Sequence, residues 1–236
     1  RPGTVGDLLS RALALLGANG HVADLSLSVA DMLDHMAAEG YAVAVCLPSQ
    51  AIRLARAARA QGRPRLVKTV LLGADHAAAS LRAALEEDLC QRCVVHWGMS
   101  ETCLAGAVEC RAGRGCHIRE ADLFLEIIDP VSGKPCPDGV LGEIVLTTLS
   151  RLGMPLIRYR TGDLAAMDGA PCPCGSPLRR LTGFAGRLTD RASLPDGGTL
   201  SLAELDQALY RLPGLSGYTA AFGLDGETAR LDLAIE

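Results

Sequence analysis

The residues best suited to chemistry lie in two short runs of the chain. Residues 96–101 read His-Trp-Gly-Met-Ser-Glu, which places an aromatic ring, a hydroxyl and a carboxylate close together. Residues 157–164 follow a hydrophobic segment at 142–149 and form an Arg-rich turn that ends in one carboxylate, Asp163. Cationic forks can neutralise phosphate, and carboxylates can bind ribose hydroxyls or magnesium. Together the two runs predict a nucleotide site.

The elements around the first run alternate between strands and helices. Ser28 is predicted to cap a helix that Gly40 closes. Apolar spacing predicts helices at residues 8–16, 29–39, 49–61 and 77–89, a short strand and turn at 21–27, and strands at 41–47, 67–72 and 93–96. Such alternation favours a mostly parallel sheet with helices on its faces.

After residue 123 the sequence changes to short strand-like segments separated by turns. Ser132-Gly133-Lys134 and Pro137-Asp138-Gly139 are turn signals, and a last amphipathic helix is predicted at 202–212. We therefore expect an α/β fold: a parallel or mixed sheet with flanking helices, then an antiparallel β subdomain, then the start of a small C-terminal α+β domain. The expected domains are residues 1–123, 124–185 and 186–236.

Composition argues against several classes of protein. The 236 residues are 49% hydrophobic and can bury a substantial core, but the longest apolar runs fall short of the roughly 20 residues that span a membrane. A net charge of −4 and 3% aromatic residues argue against a nucleic-acid binder. Nine cysteines, an odd number without a signal segment before them, predict reduced thiols in the cytoplasm. A chain that begins at Arg1 rather than Met is expected to be a fragment.

The two runs resemble motifs of the adenylate-forming acyl-CoA synthetases, and within that superfamily they are most similar to phenylacetate-CoA ligases. The likeness extends from about residue 66 to residue 209, over half of the chain. It implies an AMP-forming ligase that activates an aryl carboxylic acid with ATP and magnesium. The resulting acyl-adenylate would pass its acyl group to coenzyme A.

The resemblance also implies roles for individual residues. Ser100 would bind phosphate and Glu101 would bind magnesium, and these two are the catalytic candidates. Asp163 would accept hydrogen bonds from the ribose, and Trp97 would lie against the adenine, although a Trp beside a Gly is most often a core residue. The other residues that would contact ATP or AMP are Gly73, Ala74, Asp75, His96, Gly98, Met99, Arg160 and Arg187.

Four family features are missing or altered. There is no Gly- and Ser/Thr-rich phosphate loop, and there is no Lys after Lys134. The hinge motif Gly-Arg-x-Asp-Asp reads Gly-Arg-Leu-Thr-Asp at 186–190, with Thr189 in place of the pivoting Asp, and residues 196–201 replace the pantetheine loop. These departures favour an alternative, a non-catalytic nucleotide-binding or zinc-stabilised interaction remnant. The identity of the acid and the oligomeric state stay open, with a homodimer among the alternatives.

Cysteine and histidine residues predict a structural zinc site. Three thiols and one imidazole match a tetrahedral set. The predicted ligands are Cys110, His117, Cys172 and Cys174. Pro173 lies between the last two thiols and would pre-shape their loop. Cys116 and Cys136 are the alternative ligands, and ordinary thiols in a cysteine-rich chain are the competing interpretation.

Overall fold

The computed structural model describes residues 4–225 and 228–236, so that residues 1–3, including Arg1, lie outside the described part. Nine strands form the main sheet: β1 (Val43–Cys46), β2 (Val67–Leu72), β3 (Cys90–Trp97), β4 (Ala107–Glu109), β5 (Cys116–Ile118), β6 (Leu123–Ile128), β7 (Gly142–Thr148), β8 (Tyr159–Asp168) and β9 (Arg180–Thr182). Their order in the sheet is β1-β2-β3-β4-β5-β9-β8-β7-β6.

The first three strands pair in parallel because helices connect them. The helices before β4 are α1 (Val5–Leu15), α2 (Val29–Glu39), α3 (Pro48–Ala60) and α4 (Ala79–Asp88). Ser28 caps α2 as predicted, since its Oγ accepts from Asp31 N at 3.1 Å, and Gly40 ends it at φ +64°. The apolar faces of α2, α3 and α4 bury Leu33, Ile52 and Leu85 in one core with β2.

β3 is the strand at which the sheet changes direction. It pairs in parallel with β2 and antiparallel with β4. Every further pairing through β5, β9, β8, β7 and β6 is antiparallel. A second core lies here and contains Ile118, Leu125, Ile144 and Leu181. A mixed sheet with flanking helices is the predicted fold class, which is confirmed.

Most predicted elements lie within a few residues of their expected positions, and the main differences are at residues 21–27, at β3 and at the last helix. At residues 21–27 the predicted turn forms but the predicted strand does not, because Asp24 Oδ1 accepts from the backbone N and the Oγ of Ser26. β3 begins at Cys90, three residues before the predicted start. The last helix, α5 (Leu202–Leu209), ends before residue 212, because Pro213 restricts the residue that precedes it.

The last part of the chain packs on the first core. Two small antiparallel pairs form there, β10 (Arg191–Ser193) with β11 (Thr199–Ser201) and β12 (Tyr218–Asp225) with β13 (Thr228–Ile235). α5 lies against α4, where Ser80 Oγ donates to Asp206 O at 3.1 Å, and Tyr210 joins the buried cluster. The expected domain boundary at residue 186 stays a prediction. None of the described helices is long and apolar enough to cross a bilayer.

The partly buried carboxyl group of Asp206 on α5 predicts a pH dependence of stability. Burial raises its carboxyl pKa from 3.8 to about 6, while the Tyr218 hydroxyl donates to Oδ1 at 2.6 Å. Between about pH 4 and pH 6 the folded chain holds this proton more tightly than the unfolded chain, so this contribution to stability falls as pH rises. We expect Asp206→Asn to lose that part of the pH dependence and to melt at a higher temperature at pH 8.

The matched control is Asp196→Asn, at an exposed turn where the amide oxygen can still accept from Gly198 N. It should follow the unsubstituted protein at every pH. Identical melting profiles for Asp206→Asn and the unsubstituted protein between pH 4 and pH 8 would contradict the assignment.

Candidate functional site

A cleft of about 1100 Å³ opens beside the carboxyl ends of β2 and β3. Loops converge at this edge of parallel strands, which is where α/β sheets bind ligands. The cleft is also walled by β8, the residues after β9, the loop before β5, and α5. Seven of the residues predicted to bind nucleotide line it: Ala74, Asp75, His96, Trp97, Gly98, Asp163 and Arg187.

The carboxylate of Asp163 is held from two sides. Trp97 Nε1 donates to Oδ2 at 2.9 Å, and Arg187 Nε donates to Oδ1 at 2.9 Å. The Asp163 side chain is 15% exposed and that of Arg187 is 52% exposed. Each carboxylate oxygen has one fixed donor and keeps a further lone pair for a ligand. The site therefore offers two oriented acceptors next to one accessible cation.

Irregular backbone turns Asp163 towards the cleft. Gly162 has φ +76°, a region that favours glycine, and its N–H donates to Glu143 Oε1 at 3.1 Å. The register between β7 and β8 shifts between Glu143 and Val145. Asp163 N then donates to Thr161 Oγ1 at 3.1 Å instead of continuing a regular ladder. Such irregularities re-aim a side chain at the end of a paired segment.

Arg160 does not reach the cleft. Its Nε donates to Glu143 Oε2 at 2.7 Å, and its Nη2 donates to Pro130 O at 2.8 Å. The Glu143 side chain is 3% exposed, and a buried carboxylate without a cation is costly. Of the two predicted arginines only Arg187 lines the cleft, and the contact of Arg160 with phosphate and ribose stays a prediction.

Trp97 is mostly enclosed by its neighbours. It is 8% exposed, and a Cβ added at Gly106 would lie 2.6 Å from its Cζ3, so the ring packs directly on that glycine. The predicted contact with adenine stays a prediction. The bond from the indole N–H to Asp163 was not foreseen from the sequence, although the two residues belong to the two runs that pointed to the site.

Gly73 makes room for a histidine at the end of β3. A Cβ added there would lie 1.9 Å from His96 Nε2. His96 Nδ1 is buried and has no hydrogen-bond partner among the described residues. Burial lowers the pKa of His96 and of His76, which also lines the cleft. A lowered pKa favours the neutral form of each imidazole, which offers hydrogen bonds rather than charge.

Ser100 and Glu101 follow the cleft residues in a short 3-10 turn, Ser100–Thr102. With Met99 they stand outside the residues that line the cleft. Tyr159, which the sequence did not single out, donates from its hydroxyl to Glu101 Oε1 at 3.3 Å. The negative charge of Glu101 is the main cause that raises the Tyr159 pKa. The two predicted runs thus meet twice, at Asp163 and at Glu101.

A second site brings together the four predicted zinc ligands. One ligand atom from each residue lies within 4.8 Å of all the others in the set Cys110, His117, Cys172 and Cys174. Cys110 Sγ lies 3.7 Å from Cys172 Sγ, and Cys174 Sγ lies 3.3 Å from His117 Nε2. Tetrahedral zinc with bonds of about 2.3 Å places two sulfurs about 3.8 Å apart. The donor set and its spacing therefore fit zinc.

Surrounding hydrogen bonds orient these ligands. His117 Nδ1 lies 2.8 Å from Leu178 O, which fixes the N–H on Nδ1 and leaves the Nε2 lone pair for a metal. Backbone N–H groups of Ala112 and Ser176 donate to Cys110 Sγ and Cys174 Sγ, both at 3.4 Å. By contrast, burial raises the pKa of Cys116 to about 12, so this alternative ligand is a core thiol.

Arg180 was not among the residues predicted from the sequence. Its side chain is 3% exposed, and its Nη2 donates to Asp168 Oδ2 at 2.6 Å while it lines the cleft. The available signal was the pair Arg179-Arg180 before Leu181, because alternation in a strand directs one of two neighbouring arginines inward.

A family model and several known proteins match more than half of the chain. The family model described as "AMP-binding enzyme" matches residues 11–150. The chain is 33% identical over 173 residues to a phenylacetate-coenzyme A ligase of Thermus thermophilus, which covers 71% of this chain and 39% of the relative. It is 37% identical over 148 residues to the Pseudomonas putida ligase of the same name, covering 61% of this chain and 33% of the relative. The chain thus spans about two fifths or less of these relatives.

Solved structures show the same fold. A 2-hydroxyisobutyryl-CoA ligase in the postadenylation state superposes with a TM-score of 0.85 at 22% identity, over 98% of this chain and 51% of that chain. An anthranilate CoA ligase in complex with anthranoyl-AMP superposes with a TM-score of 0.68 at 16% identity, over 93% of this chain and 44% of that chain.

Substitution of Gly73 should disturb the cleft wall. Ala at this position would overlap His96 Nε2, so His96 must move, and overpacking of this kind costs about 1–3 kcal/mol. We expect Gly73→Ala to lower the free energy of unfolding measured in urea by that amount. Gly153→Ala is the matched control, because a Cβ there meets nothing within 4 Å. Equal urea midpoints for the two variants would show that His96 does not depend on Gly73.

Proposed function

The chain belongs to the AMP-binding enzyme family, and on that premise we propose that it is part of an acid-CoA ligase for an aryl, phenylacetate-like carboxylic acid. The observation that carries the proposal is the Asp163 carboxylate, fixed by Trp97 and Arg187 in a cleft at the carboxyl ends of parallel strands. The identity to phenylacetate-coenzyme A ligases supports the class of acid.

In the proposed reaction a carboxylate oxygen of the acid bonds to the α-phosphorus of ATP. The bond from that phosphorus to the bridging oxygen breaks, and pyrophosphate leaves with the electron pair. The sulfur of coenzyme A then bonds to the acyl carbon, AMP leaves, and the thiol proton passes to solvent. The two steps together convert acid, ATP and coenzyme A into acyl-CoA, AMP and pyrophosphate.

The residues of this chain would hold the nucleotide during the first step. Asp163 accepts hydrogen bonds from ribose hydroxyls through the lone pairs that Trp97 and Arg187 leave free. Arg187, which is half exposed, can also turn a guanidinium N–H to phosphate. Burial lowers the pKa of His76 and of His96, so both side chains would offer hydrogen bonds to the ligand rather than charge.

Glu101 fits a magnesium ligand, because one carboxylate with phosphate oxygens is a common magnesium environment. The Tyr159 hydroxyl restrains that carboxylate at 3.3 Å, and Ser100 is exposed beside it for a phosphate contact. When bound, magnesium would supply screening of the phosphate charge. The thiols and imidazole of the second site would hold structural zinc, and a reducing compartment such as the cytoplasm would keep the thiols available.

One observation favours the rival function, a remnant that binds nucleotide without catalysis. Thr189 occupies the expected pivot, where its Oγ1 donates to Asp190 Oδ1 at 3.1 Å in a short 3-10 turn. A hydroxyl cannot make the charged contacts of a carboxylate. The two functions differ in one measurement, ATP–pyrophosphate exchange.

We expect the protein translated from the complete reading frame to exchange pyrophosphate into ATP with phenylacetate or with another acid of an aryl and short-chain panel. In the same protein Asp163→Ala should weaken AMP binding by roughly 10- to 100-fold, because a hydrogen bond to a charged group contributes about 1.5–3 kcal/mol. Calorimetry measures the affinity. Asp122→Ala is the control, because this carboxylate also pairs with an arginine, Arg119, but does not line the cleft.

The outcomes separate the assignments. Unchanged AMP affinity in Asp163→Ala would sink the ribose contact. AMP binding without exchange for any acid of the panel would favour the non-catalytic remnant.

A further prediction concerns the proposed zinc site. Cys172→Ser combined with Cys174→Ser should reduce the zinc content, measured by atomic absorption, and lower the melting temperature, because binding energy at a structural site is folding energy. Cys103→Ser is the control, since this exposed thiol stands outside the four-ligand cluster. An unsubstituted protein that contains no zinc after purification without chelator would refute the site.

A further inference from the structure

The metal-ligand loops form one end of the cleft. The loop from Cys110 to His117 contributes Gly113, Arg114 and Gly115 to the lining. The loop that carries Cys172 contributes Pro171 and Pro173, on either side of that thiol. The four-ligand cluster and the cleft therefore share these two loops. Contacts that hold the four-ligand cluster in place therefore also hold this end of the cleft in place.

One buried guanidinium ties the two loops together. Arg180 Nη1 donates to Arg114 O at 3.2 Å, and Arg180 Nη2 donates to Ala170 O at 3.0 Å. Its ion pair with Asp168 neutralises the carboxylate at this end of the cleft. The backbone of Arg114 is thus anchored, while its own side chain is exposed.

Two glycines set the path of the loop around Arg114. Gly113 has φ +64° and Gly115 has φ +98°, a backbone region that residues with a Cβ rarely adopt. A Cβ added at Gly115 would also lie 2.6 Å from Leu181 O, so the loop presses directly on β9. The backbone of this loop therefore has one well-defined conformation, from which the Arg114 side chain extends.

Arg114 differs from the other arginines of the cleft in its lack of a carboxylate partner among the described residues. The arginines that line the cleft are Arg82, Arg114, Arg180, Arg187 and Arg191. The first, third and fourth pair with Glu109, Asp168 and Asp163 respectively. Arg191 interacts electrostatically with Glu204. Within residues 4–225 and 228–236, no carboxylate lies at ion-pair distance from Arg114.

We propose that Arg114 binds a phosphate group of a ligand that occupies the cleft, in a position set by the metal-ligand loops and Arg180. A planar guanidinium matches phosphate oxygens in two parallel hydrogen bonds. The cleft volume of about 1100 Å³ is slightly above the range of ordinary ligand sites, which leaves room for phosphate beyond the Asp163 end. This inference rests on the proposed function, which supplies two sources of phosphate, the nucleotide and coenzyme A.

The test compares Arg114→Gln with Arg111→Gln, which removes the same charge from the same loop at an exposed residue that does not line the cleft. Calorimetry measures the affinities for adenosine, AMP, ATP, coenzyme A, dephospho-coenzyme A and inorganic pyrophosphate. We expect Arg114→Gln to weaken phosphate-bearing ligands roughly tenfold, with adenosine unchanged and Arg111→Gln unaffected. Zinc content is measured in each variant, so that loss of metal is not mistaken for loss of the cation.

The pattern of loss identifies the source of the phosphate. Weaker binding of ATP alone assigns Arg114 to the nucleotide, and weaker binding of coenzyme A alone assigns it to the acceptor. Unchanged affinities for all the phosphate-bearing ligands, or equal losses in both variants, would overturn the proposal. Failure of the unsubstituted protein to bind any nucleotide or coenzyme A would count against the proposed function. In that case the affinity for inorganic pyrophosphate still tests Arg114: weaker binding in Arg114→Gln than in Arg111→Gln supports the proposal, and equal binding overturns it.

Discussion

The arrangement of the site depends on the fixed orientation of the Asp163 carboxylate. Its two donors come from separate parts of the chain, Trp97 at the end of β3 and Arg187 after β9. Backbone bonds run beside them, because Leu164 N donates to Gly186 O at 2.9 Å and Ala185 N donates to Leu164 O at 3.0 Å. A side chain held in this way is oriented before a ligand arrives, so little entropy is lost when the ligand binds.

Local patterns predicted much of the fold, while contacts between distant residues decided the rest. The cap at Ser28, the apolar spacing of α3 and the buried run of β2 follow from short-range chemistry, and each appears where expected. Arg160 is different, because its place depends on a buried carboxylate 17 residues away in the sequence, Glu143. No periodicity encodes such a pairing. At residues 21–27 the local hydrogen bond from Ser26 N to Asp24 Oδ1 formed the predicted turn without the predicted strand.

The same distinction applies to the site. Residue types predicted the carboxylate, the cation and the four candidate metal ligands, because few side chains can perform these tasks. The residues that hydrogen-bond to these side chains or to their loops could not be predicted in the same way. The indole N–H of Trp97, the carbonyl of Leu178 and the guanidinium of Arg180 reach their partners only because the fold brings distant residues together. These supporting contacts determine whether a set of suitable residues becomes a working arrangement. Sequence therefore names the ligands better than it names what holds them.

The position of β3 has a consequence for how this fold can change over evolutionary time. This strand has a parallel neighbour on one side and an antiparallel neighbour on the other, and its last residues carry His96 and Trp97. Loops elsewhere in the sheet can lengthen or shorten without altering pairing. An insertion or deletion of one residue within β3 would instead reverse the facing of the side chains beyond it, in both ladders and in the cleft at once. Substitution, rather than change of length, is the route of variation open to this strand.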